Sequence, residues 1–155
     1  MRHFICPNCH TRTVDDDGLE GLSGQPLGCA HCGFGYVFEI LEDFFPPASA
    51  GMITCDREGR VLSCGRGVFE LTGFEDTDVM GKPAGQAFGI AGYADGQDPV
   101  KVVLEWGVRK LDQHVTIRHR SGIIKPVRAD LFPAYDDDGG LMVSLAPVMP
   151  GDEPH

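Results

Sequence analysis

The chain has 155 residues, with 13 Lys and Arg against 23 Asp and Glu and a formal net charge of -10. That leaves room for one medium domain or two small ones and argues against a general nucleic-acid binder, whose phosphate contacts need Lys and Arg. No apolar stretch is long enough for a membrane-spanning helix, and the N-terminus runs into a cysteine motif without an apolar signal region. The expected location is therefore the cytoplasm, where thiols stay reduced.

Four cysteines fall in two matching pairs, Cys6-Pro7-Asn8-Cys9 and Cys29-Ala30-His31-Cys32, with the spacing C-x2-C-x19-C-x2-C. Each C-x2-C turn aims two sulfurs at one point, and two turns supply the four thiolates of a closed structural Zn2+ site. Residues 1–44 are expected to form a small zinc-held β module in which Cys6, Cys9, Cys29 and Cys32 bind the metal. A module this small has too little core to fold without its metal. The first pair also spells C-x-x-C-H with His10, the pattern of covalent haem attachment. That chemistry needs export and leaves the second pair idle, so zinc is the preferred reading.

Within the module, Asp15-Asp16-Asp17-Gly18 reads as an acidic turn, and Gly33 to Ile40, rich in aromatic and β-branched residues, reads as a strand. The run Phe44-Phe45-Pro46-Pro47-Ala48 breaks regular structure, and residues 45–48 are expected to be a short linker. Met52–Cys55 and Val61–Cys64 flank Asp56-Arg57-Glu58-Gly59 as a hairpin. Val68 to Thr72 suits a short helix ended by Gly73, and Asp78 to Gly81 suits another helical turn. Pro99 to Leu111 is the longest helix candidate, with Val102, Val103, Trp106 and Lys110 on neighbouring positions.

After it, His114 to Arg120 alternates, with Val115, Ile117 and His119 on one face. Val127, Ala129 and Leu131 alternate again, Asp136-Asp137-Asp138-Gly139 marks a turn, and Leu141 to Val148 is a last strand. Three late strands joined by turns make an antiparallel meander. Residues 149–155 are expected to be a flexible tail.

Over residues 49–148 the pieces Gly51-Met52-Ile53, Asp56-x-x-Gly59-x-Val61, Leu71-Thr72-Gly73-Phe74, Val79-Met80-Gly81-Lys82, Arg120-Ser121-Gly122 and Asp138-Gly139 stand in one order. In that order and spacing the region resembles a PAS domain, the sensory and interaction fold of many signalling proteins. The first module resembles a zinc ribbon. The resemblance implies an α+β fold: a five-stranded antiparallel sheet with short helices on one face, preceded by a small N-terminal β zinc ribbon. One departure stands out. Where the family has Asn at the end of the second strand, tying it to the following helix, this chain has Gly65.

The resemblance also implies a pocket between sheet and helices that holds haem, flavin, a small acid, a metal, or nothing, and, in many members, dimerisation through the outer sheet face or an N-terminal cap. Haem-binding members take their axial His from the long helix, and Pro99 to Leu111 has none. His119, on the face of Val115 and Ile117, is the candidate cofactor-binding residue; the other reading is a hairpin-end His with a solvent partner. The light-sensing branch needs a Cys in the short helices, and Gly81 to Phe88 has none. Arg109, Lys110, Arg118, Arg120, Lys125 and Arg128 form a local basic group, read either as a site for a carboxylate or acidic partner or as a solvated face.

Cys55 and Cys64 are read as buried small residues, because the hairpin spacing holds them beyond the about 7 Å that a disulfide spans. No nucleophile with a partnered base, phosphate loop or open metal site is present, so enzyme activity is not expected. The expected function is sensing or protein interaction, passed on through a protein partner or a homodimer contact. The alternatives are a haem-based redox or gas sensor and a nucleic-acid-associated zinc-ribbon regulator. The last is opposed by the charge of the first 44 residues, where only Arg2 and Arg12 stand against Asp15, Asp16, Asp17, Glu20, Glu39, Glu42 and Asp43.

Overall fold

A computed structural model describes residues 2–6, 9, 12–15, 38–40, 50–92, 96–133 and 140–148. Near the N-terminus, β1 (Arg2–Ile5) lies between β2 (Arg12–Asp15) and β3 (Phe38–Ile40), antiparallel to both. Cys29, Cys32, the linker at 45–48, the turn at 136–139 and the tail at 149–155 lie outside the described residues. So does all of the expected strand from Gly33 except β3.

The expected hairpin forms from β4 (Gly51–Cys55) and β5 (Val61–Cys64). Asp56 drives its turn: one carboxylate oxygen accepts from the N–H groups of Glu58 and Arg60, each at 2.9 Å. A bulge between Thr54 and Cys55 sets Ile53 opposite Cys64 and Cys55 opposite Val61. Simple counting from the turn puts Cys64 opposite Gly51 or Met52; the extra residue of the bulge moves it by at least one.

Three short helices follow: α1 (Val68–Thr72), α2 (Asp76–Val79) and α3 (Ala84–Ala87). α1 stops at Gly73, whose φ of 76° suits glycine. Then comes α4 (Pro99–Trp106), opened by Asp98, whose side chain accepts from the Val100 N–H at 3.0 Å, with Pro99 in the first turn. This helix is shorter than its pattern suggests. Gly107 adopts φ 66° and ends it, and Lys110 already belongs to a strand. Its buried face is Pro99, Val100 and Val103, while Trp106 is 74 % exposed.

The meander is β6 (Lys110–Arg118), β7 (Ile124–Pro133) and β8 (Leu141–Pro147). The five-stranded sheet runs β5-β4-β8-β7-β6, antiparallel throughout. Each edge is bonded over part of its length. The β5 edge exchanges backbone bonds with Gly81 and Lys82 through Val61. The β6 edge does so with Phe88 and Ala91 through Arg118 and Thr116.

No Asn ties β5 to α1. The Gly65 N–H instead donates to the Met52 carbonyl at 2.9 Å, and the Val68 N–H to the Gly65 carbonyl at 3.4 Å. The start of α1 lies directly on β4: a Cβ on Gly51 would stand 2.6 Å from the Val68 nitrogen. Backbone contact replaces the side-chain tie. Among the described residues no helix is long and apolar enough to cross a membrane.

Candidate functional site

Alternation along the sheet sends every second side chain toward the helices. Ile53 and Cys55 from β4, Leu141, Val143 and Leu145 from β8, and Val127, Ala129 and Leu131 from β7 form that layer. Val115 and Ile117 extend it onto β6, and Val68, Val79, Phe88 and Val103 meet it from the helix side. Phe74 packs its ring edge-to-face on Phe88, with centroids 6.0 Å apart. The one buried charged side chain among the described residues, Asp130, lies on the other face of the sheet.

The fold places His119 just after β6, half-buried, at the hairpin end. Its Nδ1 accepts from the Ser121 N–H at 3.0 Å and lies 2.9 Å from the Ser121 hydroxyl. In the neutral ring that puts the proton on Nε2. The ring rests on the turn after α1, where a Cβ on Gly73 would come within 2.8 Å of Cε1. The ring thus packs on that turn at the end of the hairpin.

The basic residues disperse. Arg120 meets Asp78 of α2 at 3.3 Å. Lys125 donates to the Leu71 carbonyl at 3.5 Å, near the C-terminal end of α1. Arg128 lies on the opposite face of the sheet, 3.1 Å from Asp112 and 3.8 Å from Asp130. The strand alternation that suggests one basic group in the sequence divides it between two faces.

The side of the sheet away from the helices carries a feature that sequence reasoning missed. Met52 and Thr54 of β4, Met142, Ser144 and Ala146 of β8, and Asp130 and Phe132 of β7 are all buried. None of the apolar ones belongs to the helix-side layer. At its β6 margin, Asp112 forms a bulge with φ 57°, and its N–H donates to the buried Asp130 carboxylate at 2.7 Å. His114 stands 3.7 Å from Asp112.

In the β4–β5 hairpin, burial is the main cause that pushes the Cys55 thiol far above its ordinary range, with Asp56 and then Cys64 adding to it. Burial, then Asp76, pushes Cys64 up to about 12. Near the N-terminus Cys6 is buried and Cys9 half-buried, and the Cys9 N–H donates to the Cys6 sulfur at 3.5 Å.

A family model described as "PAS domain" matches residues 49–146. The chain belongs to the PAS family. Three solved structures share the PAS fold with it. The PAS domain of nitrogen regulation protein NR(II) from Vibrio parahaemolyticus is 13 % identical, covers 64 % of this chain and 90 % of its own, and superposes with a TM-score of 0.54. A fungal LOV domain photoreceptor is 13 % identical, with coverage of 68 % and 80 % and a TM-score of 0.52. The light-state dimer of the fungal blue-light photoreceptor Vivid is 11 % identical, with coverage of 68 % and 81 % and a TM-score of 0.52. At these identities the likeness concerns the fold alone. No curated protein matches the chain. A PAS domain is a sensory and interaction module, and fold by itself does not select a ligand.

Proposed function

We propose that this chain is a cytoplasmic signalling accessory. Its PAS domain, residues 49–148, takes up a small molecule or a protein partner and passes the change on through that partner or a second copy. Residues 1–44 form a structural zinc ribbon, residues 45–48 join the two, and residues 149–155 form the tail. The family match over residues 49–146 carries the sensing half of this reading. A ligand between sheet and helices meets apolar walls such as Val103, Phe88 and Leu131, which favours an apolar molecule over a carboxylate.

The ribbon half is supported by the turn at Cys6 and Cys9. There the Cys9 N–H donates to the Cys6 sulfur, the tight turn that a C-x2-C pair makes around one point. Cys6, Cys9, Cys29 and Cys32 hold Zn2+ in this reading. The metal supplies the folding free energy that strands of three and four residues lack.

Metal content and an absorption spectrum of the purified protein test both halves. One zinc per chain and no Soret band are expected. Cys29→Ser is expected to lose the zinc. Stoichiometric zinc in that variant overturns the ligand set, and a Soret band decides for the haem-based sensor in the other half.

A further inference from the structure

No Asp or Glu lies between Asp112 and Asp130, although the chain has 23 acidic residues against 13 Lys and Arg. That stretch holds Arg118, Arg120, Lys125 and Arg128, and it folds as most of β6, a turn, and the first part of β7. The turn is tight. The Gly122 N–H donates to the His119 carbonyl and the His119 N–H to the Ile123 carbonyl, each at 2.8 Å. Gly122 takes φ 94°, a conformation that suits glycine.

The helices hold the base of this hairpin. The Arg120 N–H donates to the Thr72 carbonyl at 2.8 Å, the Arg120 guanidinium meets Asp78 at 3.3 Å, and Lys125 donates to the Leu71 carbonyl at 3.5 Å. Past these clamps every residue from Ser121 to Ile124 is exposed, Ile123 at 61 % and Ile124 at 59 %. Ile123 leads straight into β7, where successive side chains point to opposite sides. Two adjacent isoleucines that are both bare therefore mark a tip that projects with neither side covered. Arg118, at the end of β6, is exposed beside them and makes no ion pair among the described residues.

A groove on a folded partner would take one side of such a ribbon and leave the other isoleucine in water. A fluid lipid surface admits both at once, and anionic headgroups complement the cations around them. Repulsion from the acidic remainder of the chain is screened beyond about 8 Å at physiological salt, so the local charge decides. We infer that the β6–β7 hairpin tip is a contact for an anionic membrane surface: Ile123 and Ile124 enter the headgroup region and Arg118 meets the negative charge there. The contact is reversible, since two isoleucines and a few cations fall short of a stable anchor. It goes beyond the sensing role proposed above and depends on neither the zinc nor a pocket ligand.

Cosedimentation of the full-length protein with extruded vesicles tests this. Vesicles of equal parts phosphatidylcholine and phosphatidylserine are expected to bind it at least about tenfold more strongly than phosphatidylcholine alone, with the excess lost at high salt. Ile123→Ser/Ile124→Ser is expected to weaken that binding at least about tenfold, and Arg118→Gln about threefold to fivefold. Melting is expected to be retained in both, because the three side chains are exposed. If the double variant does not fold, Ile123→Ser, which lies outside β7, is expected to weaken binding in the same direction. Trp106, 74 % exposed and beyond the other end of β6, is the control, and Trp106→Ser is expected to bind as the native protein does.

Three results overturn the inference. One is equal binding, or none, to the neutral and the anionic vesicles. Another is binding lost in Trp106→Ser and kept in the isoleucine variants, which moves the contact to the end of α4. The third is retention on immobilised polyglutamate that falls with Arg118→Gln but not with the isoleucine changes, with no binding to vesicles; the tip then meets an acidic protein segment.

Discussion

At the scale of single residues, close approach and burial decide what each position tolerates. Gly51 and Gly85 make a contrast. A Cβ at Gly51 collides with the Val68 backbone at 2.6 Å, whereas at Gly85, within α3, nothing lies within 4 Å. Gly51→Ala is expected to cost about 2–3 kcal/mol in a denaturant titration, the range of overpacking that moves backbone. Gly85→Ala is expected to be neutral or to stabilise by up to about 1 kcal/mol. The thiols give a pH dependence. Cys55 and Cys64 both titrate higher in the folded protein than in the unfolded chain, whose ordinary value is 9.0. Below that value both states hold the protons and the contribution is complete. As pH rises from 9 toward the folded value of about 12 for Cys64, the unfolded chain releases protons first and stability falls. Melting temperatures between pH 8 and 11 are expected to fall less steeply in Cys55→Ala/Cys64→Ala than in the native protein (both bounds are approximate). An equal slope would remove the thiols from the account.

At the scale of elements, the order of strands and helices was legible because each has a local cause. Asp56 sets the hairpin turn, Gly73 ends α1, and Asp98 with Pro99 starts α4. The errors also have local causes. The bulge after Thr54 adds a residue that no alternation pattern shows, so Cys64 faces Ile53. Gly107 ends α4 although the apolar spacing continues to Leu111, and Trp106 turns to solvent because Val100 and Val103 take the inner face. Least legible was the link between β6 and β7. The Asp112 bulge depends on Asp130, eighteen residues on, whose buried carboxylate accepts the Asp112 N–H. Asp130→Ala strands that N–H at a residue with φ 57° and removes a partner of Arg128. The expected loss is about 2–3 kcal/mol, with Asp130→Asn recovering part of it through its remaining carbonyl oxygen. A full loss in Asp130→Asn would assign the effect to the charge and not to the hydrogen bond.

At the scale of the whole molecule, the candidate site was legible on one side of the sheet and hidden on the other. Val127, Ala129 and Leu131 alternate with Arg128 and Asp130, which reads as one face in the core and one in water. The polar positions misled because Thr54, Ser144 and Asp130 are buried on the face away from the helices, and alternation alone does not distinguish a covered face from a solvated one. That burial makes a prediction about solvent. Among the described residues neither the buried Thr54 hydroxyl nor the buried Ser144 hydroxyl has a hydrogen-bond partner. A hydroxyl in that position sacrifices its hydration and recovers nothing, so replacing it by a methyl of the same shape should relieve the cost. On a solvated face the same change has little effect, because water satisfies the hydroxyl. Thr54→Val is therefore expected to raise stability by about 1–2 kcal/mol if the face is covered and dry. No gain from Thr54→Val in a denaturant titration would mean that water reaches the hydroxyl.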